Sequence, residues 1–157
     1  MIQIIIAVVV TALAVFLVRR SLRNKKLAVE NKIKGADFLA ANALKEGVQV
    51  TDSGLQYEVL NQGTGTINPK GSDRVKVHYH GTLIDGSVFD SSIARGQPID
   101  FGLNQVIKGW TEGLQLMVEG EKTRFFIPSD LAYGDSGAGP IGPGSVLIFE
   151  VKLLGIN

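Results

Sequence analysis

The sequence predicts an α+β chain: a half-buried antiparallel sheet packed against one short helix, preceded by a transmembrane helix and a helical spacer. Three observations carry this. Residues 2–18 form an almost unbroken apolar run, residues 22–44 are rich in Ala, Lys, Leu and Glu, and beyond Gly47 the hydrophobic period changes from helical to alternating. The expected organisation is a membrane anchor over 1–20, a spacer over 21–50 and one globular domain over 51–157.

The apolar run Ile2–Val18 has 17 residues, the lower limit for a helix rising roughly 1.5 Å per residue across a core of about 30 Å. Arg19 and Arg20 extend the span by reaching into the headgroup layer. A cleaved secretory peptide would begin with basic residues and end in a small-residue cleavage site. This run begins Met1-Ile2-Gln3 and ends in two arginines, so a retained anchor is expected. Arg19, Arg20, Arg23, Lys25 and Lys26 all follow the run, and no side-chain charge precedes it. The positive-inside rule then predicts a single-pass inner-membrane protein with a cytoplasmic domain, a periplasmic domain being the alternative.

Leu22 to Leu44 reads as a helix with a partial apolar stripe of Phe38, Leu39, Ala43 and Leu44, interrupted by Gly35 and ended by Gly47. A spacer lifting the domain off the bilayer is the expected role. A dimerisation arm and a basic belt for anionic lipid are the alternatives, and the sequence leaves the oligomeric state open.

The net charge of +1 excludes a bulk electrostatic attraction to nucleic acid. With no Cys, disulfides, thiolate catalysis and cysteine metal sites are excluded. In the domain, Leu55, Tyr57 and Val59 alternate with Gln56 and Glu58; Val75, Val77 and Tyr79 with Lys76, His78 and His80; Thr123, Phe125 and Ile127 with Arg124 and Phe126; and Leu147, Phe149, Val151 and Leu153 with Ile148, Glu150 and Lys152. This is the pattern of an antiparallel sheet with one wet face. Asp85-Gly86 reads as a hairpin turn and Asn68-Pro69-Lys70-Gly71 as another turn. One helix fits, roughly Trp110 to Met117, with Trp110, Leu114 and Met117 spaced to face the sheet.

Familiar catalytic constellations fail on context. Gly134-Asp135-Ser136-Gly137 resembles the nucleophile segment of trypsin-like proteases, but such enzymes need a base, an orienting acid and a much larger double barrel. His78 and His80 share a strand face without a third ligand and read as solvent-face residues. Gly63-Thr64-Gly65 leads into no strand–helix phosphate cradle. No metal or cofactor is expected. What remains is a set of aromatic and apolar residues near turns, each of which taken alone reads as ordinary core.

Taken together, Val77-His78-Tyr79-His80-Gly81-Thr82-Leu83, Asp85-Gly86-Ser87-Val88-Phe89-Asp90-Ser91-Ser92, Val106-Ile107-Lys108-Gly109-Trp110-Thr111-Glu112-Gly113, Ile127-Pro128, Leu131-Ala132-Tyr133-Gly134 and Leu147-Ile148-Phe149-Glu150-Val151 resemble the FKBP-type peptidyl-prolyl cis–trans isomerases in order and spacing. The Gly139–Gly144 loop and the helical preface resemble the family's bacterial macrophage infectivity potentiator branch. The resemblance implies a curved sheet of five to six antiparallel strands wrapped around the helix. It makes Trp110 the floor of a pocket and Tyr79, Phe89, Val106, Ile107 and Phe149 its walls. Tyr133 Oη and the Ile141 N–H become donors to ligand carbonyls, and Asp90 the polar group near the twisting amide, held by Tyr79 and Arg95. Ile99 adds to the pocket wall at a position where the family often has an aromatic, Gln105 stands where it often has an acid, and the Gly134–Ile141 loop is shorter than in single-domain eukaryotic members.

The implied partners are proline-containing polypeptides, macrolide inhibitors and, through the anchor, a membrane; family habit also draws the domain toward the periplasm. The implied chemistry needs no nucleophile. An X–Pro bond rotates over a barrier near 20 kcal/mol. A dry pocket that binds the twisted amide more tightly than either planar form by about 4 kcal/mol would accelerate it roughly a thousandfold. A non-catalytic module that only holds Pro-containing segments is the rival reading.

Overall fold

The computed structural model describes all 157 residues. A single helix, α1 (Ile2–Asn42), runs without interruption through the apolar run and the expected spacer. It is followed by strands β1 (Gln49–Val50), β2 (Gln56–Asn61), β3 (Arg74–Leu83) and β4 (Val88–Ser91). A one-turn helix α2 (Ser92–Arg95), β5 (Ile99–Gly102), α3 (Lys108–Leu114), β6 (Lys122–Ile127) and β7 (Leu147–Ile156) complete the chain. The seven strands form one antiparallel sheet in the order β1-β2-β6-β7-β3-β4, with β5 also paired to β3. The count exceeds the expected five to six because β1 is only two residues long and because β4 and β5 share one edge, end to end along β3.

The alternation holds on the inward face. Val75, Val77, Phe125, Ile127, Leu147, Val151 and Leu153 are completely buried, and Trp110, Leu114 and Met117 bury against them as expected. Two glycines seat α3: a Cβ on Gly109 would lie 2.5 Å from Ile127 Cγ2, and one on Gly113 would lie 2.7 Å from the Phe125 ring. The missing side chains let helix backbone and sheet approach closely enough for Trp110 to reach across the sheet's concave side. The Asp85-Gly86 hairpin forms with Gly86 at φ 86° and Gly86 N–H donating to Leu83 O. The second turn lies slightly later than expected, closed by Asp73 N–H to Lys70 O.

The outward face departs from the expectation of a wet surface. Gln56, Phe126 and Ile148 are register partners across β2, β6 and β7, and Gln56 and Phe126 are buried. The cover is the second half of α1. Phe38 packs at a tilt of 46° against Phe126 with ring centroids 6.1 Å apart. Asn42 Nδ2 donates to Gln56 Oε1 at 2.8 Å, and Gln56 Nε2 donates to Leu39 O at 2.9 Å. Residues expected as a free spacer are therefore docked on the sheet. The docking stripe is Ala28, Asn31, Gly35, Phe38 and Asn42, at helical spacing. Gly35, expected to interrupt an apolar stripe, is instead the point of closest approach, because a Cβ there would come within 2.7 Å of Val146 Cγ2. Leu44, expected in the stripe, is 87% exposed. The helix ends at Asn42 rather than Gly47, which occupies the left-handed region a few residues later.

The first half of α1 takes no part in the core: none of Ile2–Val18 is buried. By length and composition this half is a candidate membrane span, and it is not the core helix of the domain.

Candidate functional site

The Tyr79 ring points inward from β3. Its hydroxyl donates to Asp90 Oδ2 at 2.5 Å and accepts from Arg95 Nη2 at 2.9 Å. Arg95 Nη1 also bonds Asp90 Oδ1, so phenol, carboxylate and guanidinium form a closed triangle. The sequence builds this locally. Asp90 is the penultimate residue of β4, Ser91 caps α2 by accepting from the Ala94 N–H, and the single turn of α2 brings Arg95 back over the Tyr79 ring at 5.7 Å. Ser92 Oγ, completely buried, accepts from the Tyr79 N–H and ties the turn to β3. His78 and His80, expected on a solvent face, are half-buried and hydrogen-bonded through Nδ1 to Ser92 and Ser91, each at 2.9 Å.

The triangle sets the protonation of its members. Burial pushes the Asp90 carboxyl up, but the hydrogen bonds from Tyr79 and Arg95, with the guanidinium charge, outweigh it and hold the group below its ordinary value. Burial first, and then the bond to Asp90, raise the Tyr79 phenol. At neutral pH the carboxylate is an acceptor and the phenol a donor.

Beside the triangle lies a cavity of about 580 Å³, within the range of small-ligand pockets. Trp110 forms its floor through edge-on aromatic contacts to Tyr79 (5.3 Å, 79°) and Phe149 (5.1 Å, 81°). Phe89 meets Phe149 edge-on at 5.2 Å. Gly81 makes room for that pair, since a Cβ there would lie 2.6 Å from Phe89 and 2.8 Å from Phe149. Val106 and Ile107 enter from the start of α3, with Ile107 O accepting the first helical N–H bonds, from Trp110 and Thr111. Trp110 Nε1 is buried without a partner. Such an orphan donor costs about 1–3 kcal/mol in an ordinary core, and here it borders a cavity.

Of the eleven residues expected from the sequence, the structure brings ten to this cavity: Tyr79, Phe89, Asp90, Ile99, Val106, Ile107, Trp110, Tyr133, Ile141 and Phe149. Arg95 stands behind Asp90 and Tyr79 rather than in the wall. Ile99 is a rim residue, 36% exposed. Tyr133 is 43% exposed. The Ile141 N–H, implied as a ligand donor, is engaged by Ala138 O at 2.9 Å. Phe101, Ala138 and Pro140 line the cavity without having been singled out, as does Gln105, which had been noted only as a departure. Phe101 tilts against Trp110 at 5.2 Å and stands two residues from Ile99 on β5. The signal was that alternation, too short over four residues to stand out.

Comparison with known proteins covers the same residues. Residues 65–154 match the model of the FKBP-type peptidyl-prolyl cis-trans isomerase domain, and residues 7–59 match the domain amino-terminal to it. The chain is 62% identical over 132 residues to the FKBP-type peptidyl-prolyl cis-trans isomerase FkpA of Aeromonas hydrophila, covering 84% of this chain and 49% of that one. It is 51% identical over 140 residues to the outer membrane protein MIP of Legionella longbeachae, covering 88% and 60%. The chain thus spans about half to three fifths of the length of these curated relatives. The crystal structure of FkpA from Escherichia coli superposes with a TM-score of 0.87 at 41% identity, over 95% of this chain and 71% of that one. A match of this extent, running through the strands and the helix that build the cavity, makes the chain a member of the FKBP-type peptidyl-prolyl cis–trans isomerase family.

Proposed function

We propose that the chain accelerates cis–trans isomerisation of X–Pro bonds in polypeptide clients beside a membrane. The observation that carries this is an aromatic cavity floored by Trp110, with the Asp90 carboxylate held by Tyr79 and Arg95 at its wall. The proline ring packs on Trp110 between Tyr79, Phe89 and Phe149. Rotation about the amide breaks its resonance and removes charge separation, so an apolar enclosure favours the twisted state over both planar ones. The Asp90 carboxylate polarises the site near the rotating bond. The Tyr79 and Arg95 bonds fix that charge before substrate arrives, so no reorganisation is needed during rotation. Tyr133 Oη donates to a substrate carbonyl from the rim. Ile141 contributes its side chain, and its N–H reaches a ligand only by leaving Ala138 O. Macrolide ligands suit a cavity of this size and lining.

An isomerase assay on the full chain, following a short X–Pro peptide in a protease-coupled format, tests the proposal. Asp90→Ala and Tyr133→Phe each lower kcat/KM several-fold with the fold retained. Full activity in both would remove the catalytic assignment and leave the rival, a module that holds Pro-containing segments without turning them over.

We further infer that Ile2–Val18 anchors the chain as a single-pass membrane protein. The basic flank Arg19–Lys26 supports a cytoplasmic domain, whereas a relative named as an outer membrane protein supports the opposite side. Protease accessibility of the domain in intact cells compared with spheroplasts separates the two.

A further inference from the structure

We propose that the docked half of α1 belongs to the catalytic apparatus: Asn31 and Lys32 are positioning residues that hold the Tyr133–Val146 loop, one wall of the cavity, in its binding geometry. The inference rests on the isomerase reading of that cavity. The loop has two sides. Tyr133, Ala138, Pro140 and Ile141 face the cavity. On the other side Asn31 Nδ2 donates to Pro143 O at 2.8 Å, and Lys32 Nζ pairs with Asp135 at 2.6 Å. Gly144 lies so close to α1 that a Cβ there would come within 2.5 Å of Ala28 O.

The loop has little stiffness of its own. Gly134, Gly137, Gly139 and Gly144 all adopt positive φ, and such glycines have the largest conformational freedom to lose. Its internal ties are short-range: Gly144 N–H to Gly134 O at 2.8 Å closes the neck, Gly137 N–H donates to Tyr133 O at 3.2 Å, Ala138 and Ile141 bridge at the tip, and Ser145 Oγ donates to Gly142 O at 2.8 Å. The long helix is the stiff partner, and its two polar contacts fasten the loop from outside. A substrate that needs the fastened loop binds with an apparent affinity reduced by the fraction of time the loop is fastened. Loosening the loop therefore raises KM and leaves kcat, measured on the bound and ordered state, nearly unchanged. That split separates positioning of a binding wall from damage to Asp90 or Trp110.

The experiment uses the full chain in detergent micelles with an X–Pro peptide. Asn31→Ala combined with Lys32→Glu removes one partly buried hydrogen bond and turns an ion pair into a repulsion. KM is expected to rise about 3–10-fold with kcat within about twofold, since a lost hydrogen bond alone is worth a factor of about 2–10 in a population. Adding Asp135→Lys restores the pair in reverse polarity and recovers part of the loss. Amide hydrogen exchange supplies a readout independent of turnover: Ile141 and Gly144 exchange faster in the double variant, and β3 and β7 do not. Unchanged KM with unchanged loop exchange overturns the proposal, as does a fall in kcat at constant KM. An inactive wild-type chain would overturn the isomerase reading instead, and the exchange measurement would still decide whether α1 fastens the loop.

Discussion

Tyr79, Trp110 and Phe149 stand on β3, α3 and β7 and are more than nine-tenths buried, whereas Tyr133, Ala138 and Pro140 stand on a glycine-rich loop with their surfaces exposed. Both sets line one cavity. The first wall is continuous with the hydrophobic core, so its geometry is held by the same burial that folds the domain. The second wall touches the core through Ile141 and is otherwise held by backbone bonds within the loop and by two polar contacts from the distant N-terminal helix. Substitutions in the core wall should therefore register in stability and activity together, and substitutions around the loop wall in binding alone.

The largest expected effect breaks the core wall. Trp110→Ala removes the floor and its aromatic contacts to Tyr79, Phe101 and Phe149. Truncating a buried Trp costs about 3–5 kcal/mol. Thermal or urea unfolding should show that loss, and isomerase activity should fall with it. A variant that kept its stability but lost activity would mean that the floor is not part of the core, and the contrast between the walls would collapse.

A middle-sized effect concerns the helix that serves the loop. Truncation before Ser21 removes the apolar half of α1, none of which is buried, and should leave unfolding and KM nearly unchanged. Truncation before Lys45 also strips the docked half and bares Phe126, Gln56 and Val146. Exposing about one large apolar side chain costs about 1.5–3 kcal/mol. The shorter piece should still fold, because its inward core is complete without α1, but with a lower unfolding midpoint and a raised KM. Equal stability of the two truncations would show the docking to be energetically empty.

These walls also mark what could be read from sequence. The inward alternation of β2, β3, β6 and β7 and the Trp110–Leu114–Met117 spacing announced the core, because burial on one face leaves a period of its own. The docked helix was not legible in the same way. Apart from Phe38, its contacts use Ala28, Asn31, Gly35 and Asn42, small or polar residues that no hydrophobic stripe reveals. The clue stood on the opposite strand: Phe126 and Ile148 occupy outward positions that a wet face would not fill with large apolar residues. For its part α2 escaped notice because a four-residue helix has no period; the Ser91 cap and the pull of Arg95 on Asp90 specify it. The Asp90–Tyr79–Arg95 triangle was foreseen only through family resemblance, since its members are scattered over three elements whose meeting depends on the fold.

The smallest expected effect belongs to that triangle, and it appears as a pH dependence. The Asp90 carboxyl lies below its ordinary value of 3.8 in the folded chain. The stabilisation from its two bonds is accordingly present above the unfolded value and is lost as pH falls through the folded one. With the side chain 43% exposed, solvent screens the ion pair, and the loss should amount to about 0.5 kcal/mol or less. Activity should follow the same group: kcat/KM stays level as pH falls through the ordinary carboxylate range and drops only below 3.8, once Asp90 is protonated. Arg95→Gln removes one bond and the neighbouring positive charge, so the drop should move up toward the ordinary value while the unfolding midpoint at neutral pH barely changes. Carboxyl NMR of Asp90, read beside the pH–rate profile, identifies the group responsible. A drop centred well above 3.8 in the unmodified chain would break the link between the carboxylate and the rate.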